Sequence, residues 1–485
     1  MTNPSSSDSP APPRGGSGAS PRRLFLLSAV ALKEMRQSVR AKVAVIGLLL
    51  YLAALFLAAL VCLNATPAND PDLPAGIPLA ISTGIIFTFA ALNAVPVLAA
   101  ARAISEFDPT RRDISLTTTL TPSNIIDGKV VAAFCLVLLL AAATLPFLVL
   151  AFLLGGVPPG IAFLVLAFLV LASIPSTAYA LVLACAPISR VFRFLLLAGW
   201  FLQGGIGIVS TLVSLSVGSF YAGPSIPDHI PGGAVAAVLA GSALSYLLLR
   251  AVAAFLITPP HLDRGRPLLR TVAALWAVSV LFACFPPESE KFHAWGVASL
   301  LCLLPAVPFI ISGREGYSRR AVASAPASPF RRFLSFPFST NSDSALLLVL
   351  LLGSVSAVVA ALANKGGSEN FLCPVVFCLY VFNYFATARL VWLGAFRRSR
   401  VSPKVAPAVT FGFIAFATIV AASAAGVNND LDFSGVPFIP LAALSDDNIS
   451  LHIFCAGIWF LFLLAPFLLI QIRTFHAYRA PEHTS

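Results

Sequence analysis

Apolar residues in this chain come neither in alternation nor at three- and four-residue spacing; they form long unbroken runs separated by short polar stretches. Twelve runs reach the length of a membrane crossing: 43–63, 77–101, 130–154, 161–186, 192–217, 234–257, 268–285, 292–311, 345–363, 371–393, 405–426 and 449–470. A helix needs about 20 apolar residues to cross roughly 30 Å of hydrocarbon, where only helices and closed barrels satisfy the backbone. The ~10-residue alternating segments of a barrel are absent. The pattern predicts an all-α, polytopic transmembrane helical bundle of about 12 helices. Prolines inside the runs, among them Pro96, Pro146, Pro175 and Pro466, and the glycines of "QGGIG" at 203–207 fit either kinked, closely packed helices or broken helices that hinge.

Charge tests the count independently, because Lys and Arg in short loops stay cytoplasmic. With the amino terminus inside, all but Lys291 and Lys365 of the 31 Lys and Arg residues fall on the inner side. Both termini are therefore expected in the cytoplasm. The net charge of +11 then reflects this bias and attraction to anionic membrane lipid, not nucleic-acid binding. Composition agrees, with 58% hydrophobic residues, 11% charged and a mean hydropathy of +0.91. The eight cysteines are scattered through apolar runs without metal-ligand spacing, so no metal or other cofactor is expected.

The expected organisation is a disordered cytoplasmic tail at 1–21, an amphipathic interfacial helix at 22–42, eight spans within 43–311, a cytoplasmic linker at 312–344, four spans within 345–473 and a cytoplasmic tail at 474–485. In the interfacial helix Leu24, Leu27, Ala31, Met35 and Val39 share one arc, with Lys33, Arg36, Gln37 and Arg40 opposite. Glu34 belongs to the same charged segment, and a general membrane-surface anchor explains the pattern equally well. Between the second and third runs lies "RAISEFDPTRRDISLTTTLTPSNIIDGK", 102–129, read as a short charged helix bracketed by Pro109 and Pro122, or as an ordinary solvated loop. Asp127 is expected in the first turn of span three.

A secondary carrier needs ionisable groups inside the membrane, and none is placed near a midplane, since Arg102, Arg250 and Arg389 lie toward cytoplasmic ends and can snorkel. Interior polarity reduces to Asn93, Gln203, Tyr246, Asn383 and hydroxyls, which form interhelical hydrogen bonds or line a pathway. HExxH, GxSxG and Walker A motifs are missing, so an enzyme is not expected, and energy for transport would come from a separate subunit.

The order of features over 24–217 resembles the type 2 ATP-binding-cassette (ABC) permease family: a basic amphipathic helix, a span, a second span leading into Arg102, Ile104 and Glu106, a Thr-Leu segment with Leu116 and Leu120, the Thr121-Pro122 step, and Gly128-Lys129 entering span three. Two differences stand out. "FDPTRRDIS" carries a proline and no glycine, and twelve spans are twice the family's usual six. The resemblance implies a permease subunit of an exporter in the plasma membrane, the inner membrane of a bacterium. It works as a homo- or heterodimer, and a separate ABC ATPase (nucleotide-binding) subunit docks on Glu106, Arg111, Arg112, Asp113, Leu116, Leu120, Thr121 and Pro122. A secondary carrier or a non-transporting membrane scaffold is the alternative.

Overall fold

The computed structural model describes residues 29–65, 76–107, 121–155, 158–186, 190–214, 232–258, 265–284, 325–363 apart from 327, 340 and 341, scattered positions between 376 and 391, and 449–478. Among these residues the regular structure is helical, without strands. Among the described residues six helices are long and apolar enough to cross a membrane: Lys42–Asn64, Gly76–Glu106, Pro122–Leu153, Pro159–Cys185, Leu239–Ile257 and Phe454–Ala477. The expected spans at 292–311 and 405–426 lie outside the described residues, and 371–393 is described only at scattered positions.

A short helix α1 (Ala29–Arg40) is followed, after Ala41, by α2 (Lys42–Ala65). α2 buries one narrow stripe, Tyr51, Leu55 and Ala59, spaced by four residues, while Ile46, Leu49, Leu50, Phe56 and Leu57 around it are exposed. An apolar helix with only one covered stripe needs lipid on its remaining faces. Span two is compound: α3 (Gly76–Phe89), a π-helical turn (Ala90–Ala94) and α4 (Val95–Glu106). Pro96 explains the join, since it offers no N–H to the carbonyl four residues back, Leu92. The Val95 N–H reaches instead to Ala90 O, and Leu92 O accepts the Ser176 hydroxyl at 2.6 Å from a neighbouring helix. In a medium without water each freed carbonyl needs such a partner.

Span three, α5 (Pro122–Leu153), starts eight residues earlier than the apolar run indicates, with Thr121 as N-cap accepting from the Asn124 N–H and Pro122 in the first turn. At 1.5 Å per residue its 32 residues measure about 48 Å, more than the hydrocarbon thickness, so its first turns project into the interface. Apolarity alone misses this extension because its residues are mixed. One correction follows: Asp127 is in the second turn of the helix, and no acid stands in the first.

α6 (Pro159–Cys185), α7 (Arg190–Ser214), α8 (Gly232–Ile257) and α9 (Gly265–Cys284) complete the first group. Their core joins Ala103 and Ile104 of α4, Ile126 of α5, Leu181 of α6, Val252 of α8 and Leu269 of α9. A second cluster packs α2 against span two and α5 through Leu55, Phe87 and Val137. Within the stretch expected to be only a linker lies α10 (Pro329–Ser335), continued by a 3-10 turn (Phe336–Phe338). It leads to α11 (Ser342–Ala363), which packs with Phe382, Ala386 and α12 (Ile449–Ala477).

Candidate functional site

The charged positions that the apolar pattern left unexplained meet where α4 ends and α5 begins. Glu106 is the last residue of α4, and Thr121 and Pro122 open α5, so the intervening segment leaves and returns at one place. Lys129, two turns into α5, is 3% exposed; its Nζ lies 2.5 Å from Glu34 Oε1 on α1 and 2.5 Å from Glu106 Oε2. The Phe107 ring lies under the ammonium at 5.7 Å from its centroid. One turn along, Arg102 donates to the hydroxyl of Ser38, so residues spaced by four on α1 meet residues spaced by four on α4. Lys129 thereby faces two carboxylates and Arg102 a hydroxyl, and such pairing is the condition for holding the Lys129 charge in a poorly hydrated place.

α1 comes this close because Gly128 has no side chain: a Cβ there would lie 2.8 Å from Val30 Cβ and 3.0 Å from the Ala31 backbone nitrogen. This refines the expected disposition of the interfacial helix. Its protein-facing side carries Ala31, Glu34 and Ser38, all buried, while Lys33, Arg36 and Arg40 are exposed. Glu34 is thus an internal counter-ion rather than part of the solvated charged face.

The opposite face of α5 is tied as well. Asp127 accepts from Arg250 Nε at 2.5 Å, Arg250 Nη2 at 2.6 Å and the Tyr246 hydroxyl at 2.7 Å, all on α8. Residues two apart on a helix point about 200° from one another, so Asp127 and Lys129 grip opposite neighbours. Arg250, expected to snorkel, is held in a bidentate pair instead. Arg389 is corrected likewise: it is buried and donates to Asp343 Oδ1 at 2.8 Å, beside Gln471, whose Nε2 donates to Asp343 O at 2.8 Å.

The remaining sequence candidates fall in three places. Arg111, Arg112, Asp113, Leu116 and Leu120 lie outside the described residues. Asn93 sits half-buried in the π turn against Gly204 of α7, where a Cβ would come within 2.5 Å of Asn93 Cγ; Gln203 is the preceding residue of that helix. Asn383 is fully buried, its Nδ2 donating to Ala456 O of α12 at 2.9 Å. Asn93 and Asn383 thus each sit at a helix–helix contact, Asn93 against α7 and Asn383 against α12.

The pairings of Lys129 with Glu34 and of Asp127 with Arg250 were missed in the sequence, although an Asp-Gly-Lys triplet opening an apolar helix was the available signal. Among the described residues no group of three or more His, Cys, Asp and Glu side chains is placed to hold a metal ion. No protein-family model, curated protein or solved structure matches the chain, and what the site does rests on its geometry.

Proposed function

We propose that the chain is the membrane-spanning permease subunit of an ATP-driven type 2 ABC exporter, energised by a separate ATPase. The observation that carries this reading is the ion-paired Lys129, which joins both ends of the 107–121 segment to α1. A segment anchored this way is a lever. Displacement of residues 108–120 by a docked partner is passed to span two through Glu106 and to span three through Lys129, and α1 moves with both. Within span two the π turn and Pro96 interrupt the regular hydrogen-bond ladder, and in span three Pro146 does so, which are places where a helix can bend. Rigid ends on bendable spans are what alternating access requires of a passive conduit. The docking surface is expected to include Glu106, Arg111 and Arg112.

The test is purification of the tagged protein in mild detergent. A stoichiometric ATPase is expected to accompany it and to be lost from the Arg111→Ala/Arg112→Ala variant. Purification without an ATPase, together with flux driven by an ion gradient in liposomes, identifies a secondary carrier and rejects the proposal. Neither ATPase nor flux leaves a scaffold and rejects it equally.

A further inference from the structure

α10, "PFRRFLS", is out of keeping with its surroundings. It lies in a basic, polar stretch of sequence, yet Phe330, Phe333 and Leu334 are 74%, 67% and 65% exposed. Spaced i, i+3 and i+4, these three form one continuous apolar face. The face is not a loose end of the chain. Phe336, immediately after the helix, is buried, with ring centroids 5.3 Å from Phe475 and 6.2 Å from Tyr478 at the end of α12, and Phe333 reaches Phe475 edge-on at 6.5 Å. The helix is therefore seated on the bundle through Phe336 and the edge of Phe333, with most of its apolar face left uncovered.

Its direction and charge say what covers that side. The axis of Pro329–Phe338 meets the axis of Asp343–Ser356 in α11 at 85°. α11 is apolar, and its exposed Leu351, Val355 and Val358 at i, i+4 and i+7 mark a lipid-facing stripe. With α11 crossing the membrane, as its apolar run at 345–363 predicts, a helix at right angles to it runs along the bilayer plane. Exposed Leu468, Leu469 and Ile472 of α12 continue the apolar surface up to the turn on which α10 sits. Arg331 of α10 and Arg473 and His476 of α12 are exposed there, and Arg332 is tethered by its Nε to Pro326 O. No acidic residue lies in α10 or in the last four turns of α12.

We propose that α10 and the adjoining end of α12 form a binding surface for anionic phospholipid, with Phe330, Phe333 and Leu334 in the acyl region and Arg331, Arg332 and Arg473 on the headgroup phosphates. An apolar face bordered by cations and continuous with lipid-covered helices fits a charged bilayer interface better than a soluble partner. This holds whether or not the chain transports anything.

The full-length protein in neutral detergent is titrated with phosphatidylglycerol while its thermal unfolding is followed. Stabilisation is expected, and the lipid concentration for half of it should rise about fivefold for each arginine removed in Arg331→Gln and Arg473→Gln. Phe330→Ser/Leu334→Ser should weaken it as well. These side chains are exposed, so the fold is retained, which an unchanged melting temperature without lipid verifies. In vesicles, a phosphatidylglycerol carrying a photoreactive acyl chain should label peptides that contain Phe330 or Phe333. Equal stabilisation by phosphatidylcholine or by inorganic phosphate overturns the proposal. So does labelling of α10 by a water-soluble reagent but not by the lipid, the result expected if a soluble protein covers the face.

Discussion

Lys129 has two carboxylate partners of unequal environment, and that inequality makes its role measurable. Glu34 is buried, whereas the Glu106 side chain is 36% exposed and shares its charge with solvent. Removing the ammonium strands Glu34 in a poorly hydrated site, a loss that costs about 3–5 kcal/mol when a buried pair is broken from one side. Removing Glu106 breaks a pair open to water, worth less than about 1 kcal/mol. Lys129→Ala should therefore lower the thermal stability of the detergent-purified protein far more than Glu106→Gln. Glu34→Gln/Lys129→Met should restore much of the loss, because the only carboxylate then left without its partner is Glu106, which is open to water. Equal effects of the two single changes would mean that the three charges are separately hydrated and do not form a brace.

Between helices, the same brace depends on how closely α1 can lie on α5, and Gly128 sets that distance. A methyl group at 128 meets the Val30 side chain at its Cβ and the Ala31 backbone, neither of which can swing aside, so Gly128→Ala forces the helices apart. A loss of about 1–3 kcal/mol is expected, as for other overpacked contacts, together with faster amide exchange in α1. Gly199→Ala in α7 is the control: its Cβ enters open space, and stability should hold or rise by up to about 1 kcal/mol. The comparison also shows why α1 was half readable. Lys33, Arg36 and Arg40 follow from local periodicity and are exposed as expected. That Glu34 and Ser38 turn inward depends on Lys129, 95 residues beyond Glu34, and on Arg102, 64 beyond Ser38. The positions of the six described spans were readable because apolarity accumulates along a single segment, and the start of α5 was not, because its first two turns mix Asn124, Asp127 and Lys129 with Ile125 and Ile126.

For the molecule as a whole, the linker at 312–344 does not separate two independent cores. Ala345 and Leu348 of α11 join the core of the first helices while Leu346, between them, joins the core with α12, and Trp276 of α9 donates to Ser356 of α11 at 2.8 Å. Motion delivered near α5 therefore has a packed route to α11. Such a route matters to the proposed function only if the 108–120 segment faces the compartment that holds ATP, and here the distribution of charge gives a testable answer. With all but two of 31 basic residues assigned to one side, each added or lost crossing would reverse every later loop and move clusters such as Arg397, Arg398 and Arg400 outside. Tags inserted after Thr117 and at the carboxyl terminus should consequently be reached by an impermeant reagent only after the cells are permeabilised. A tag at Gly366, between the ninth and tenth expected spans, should be reached in intact cells. If the Thr117 tag reacts in intact cells, the segment carried by Glu106 and Lys129 faces away from any ATPase. The inward orientation and the proposed transmission of force then fail together.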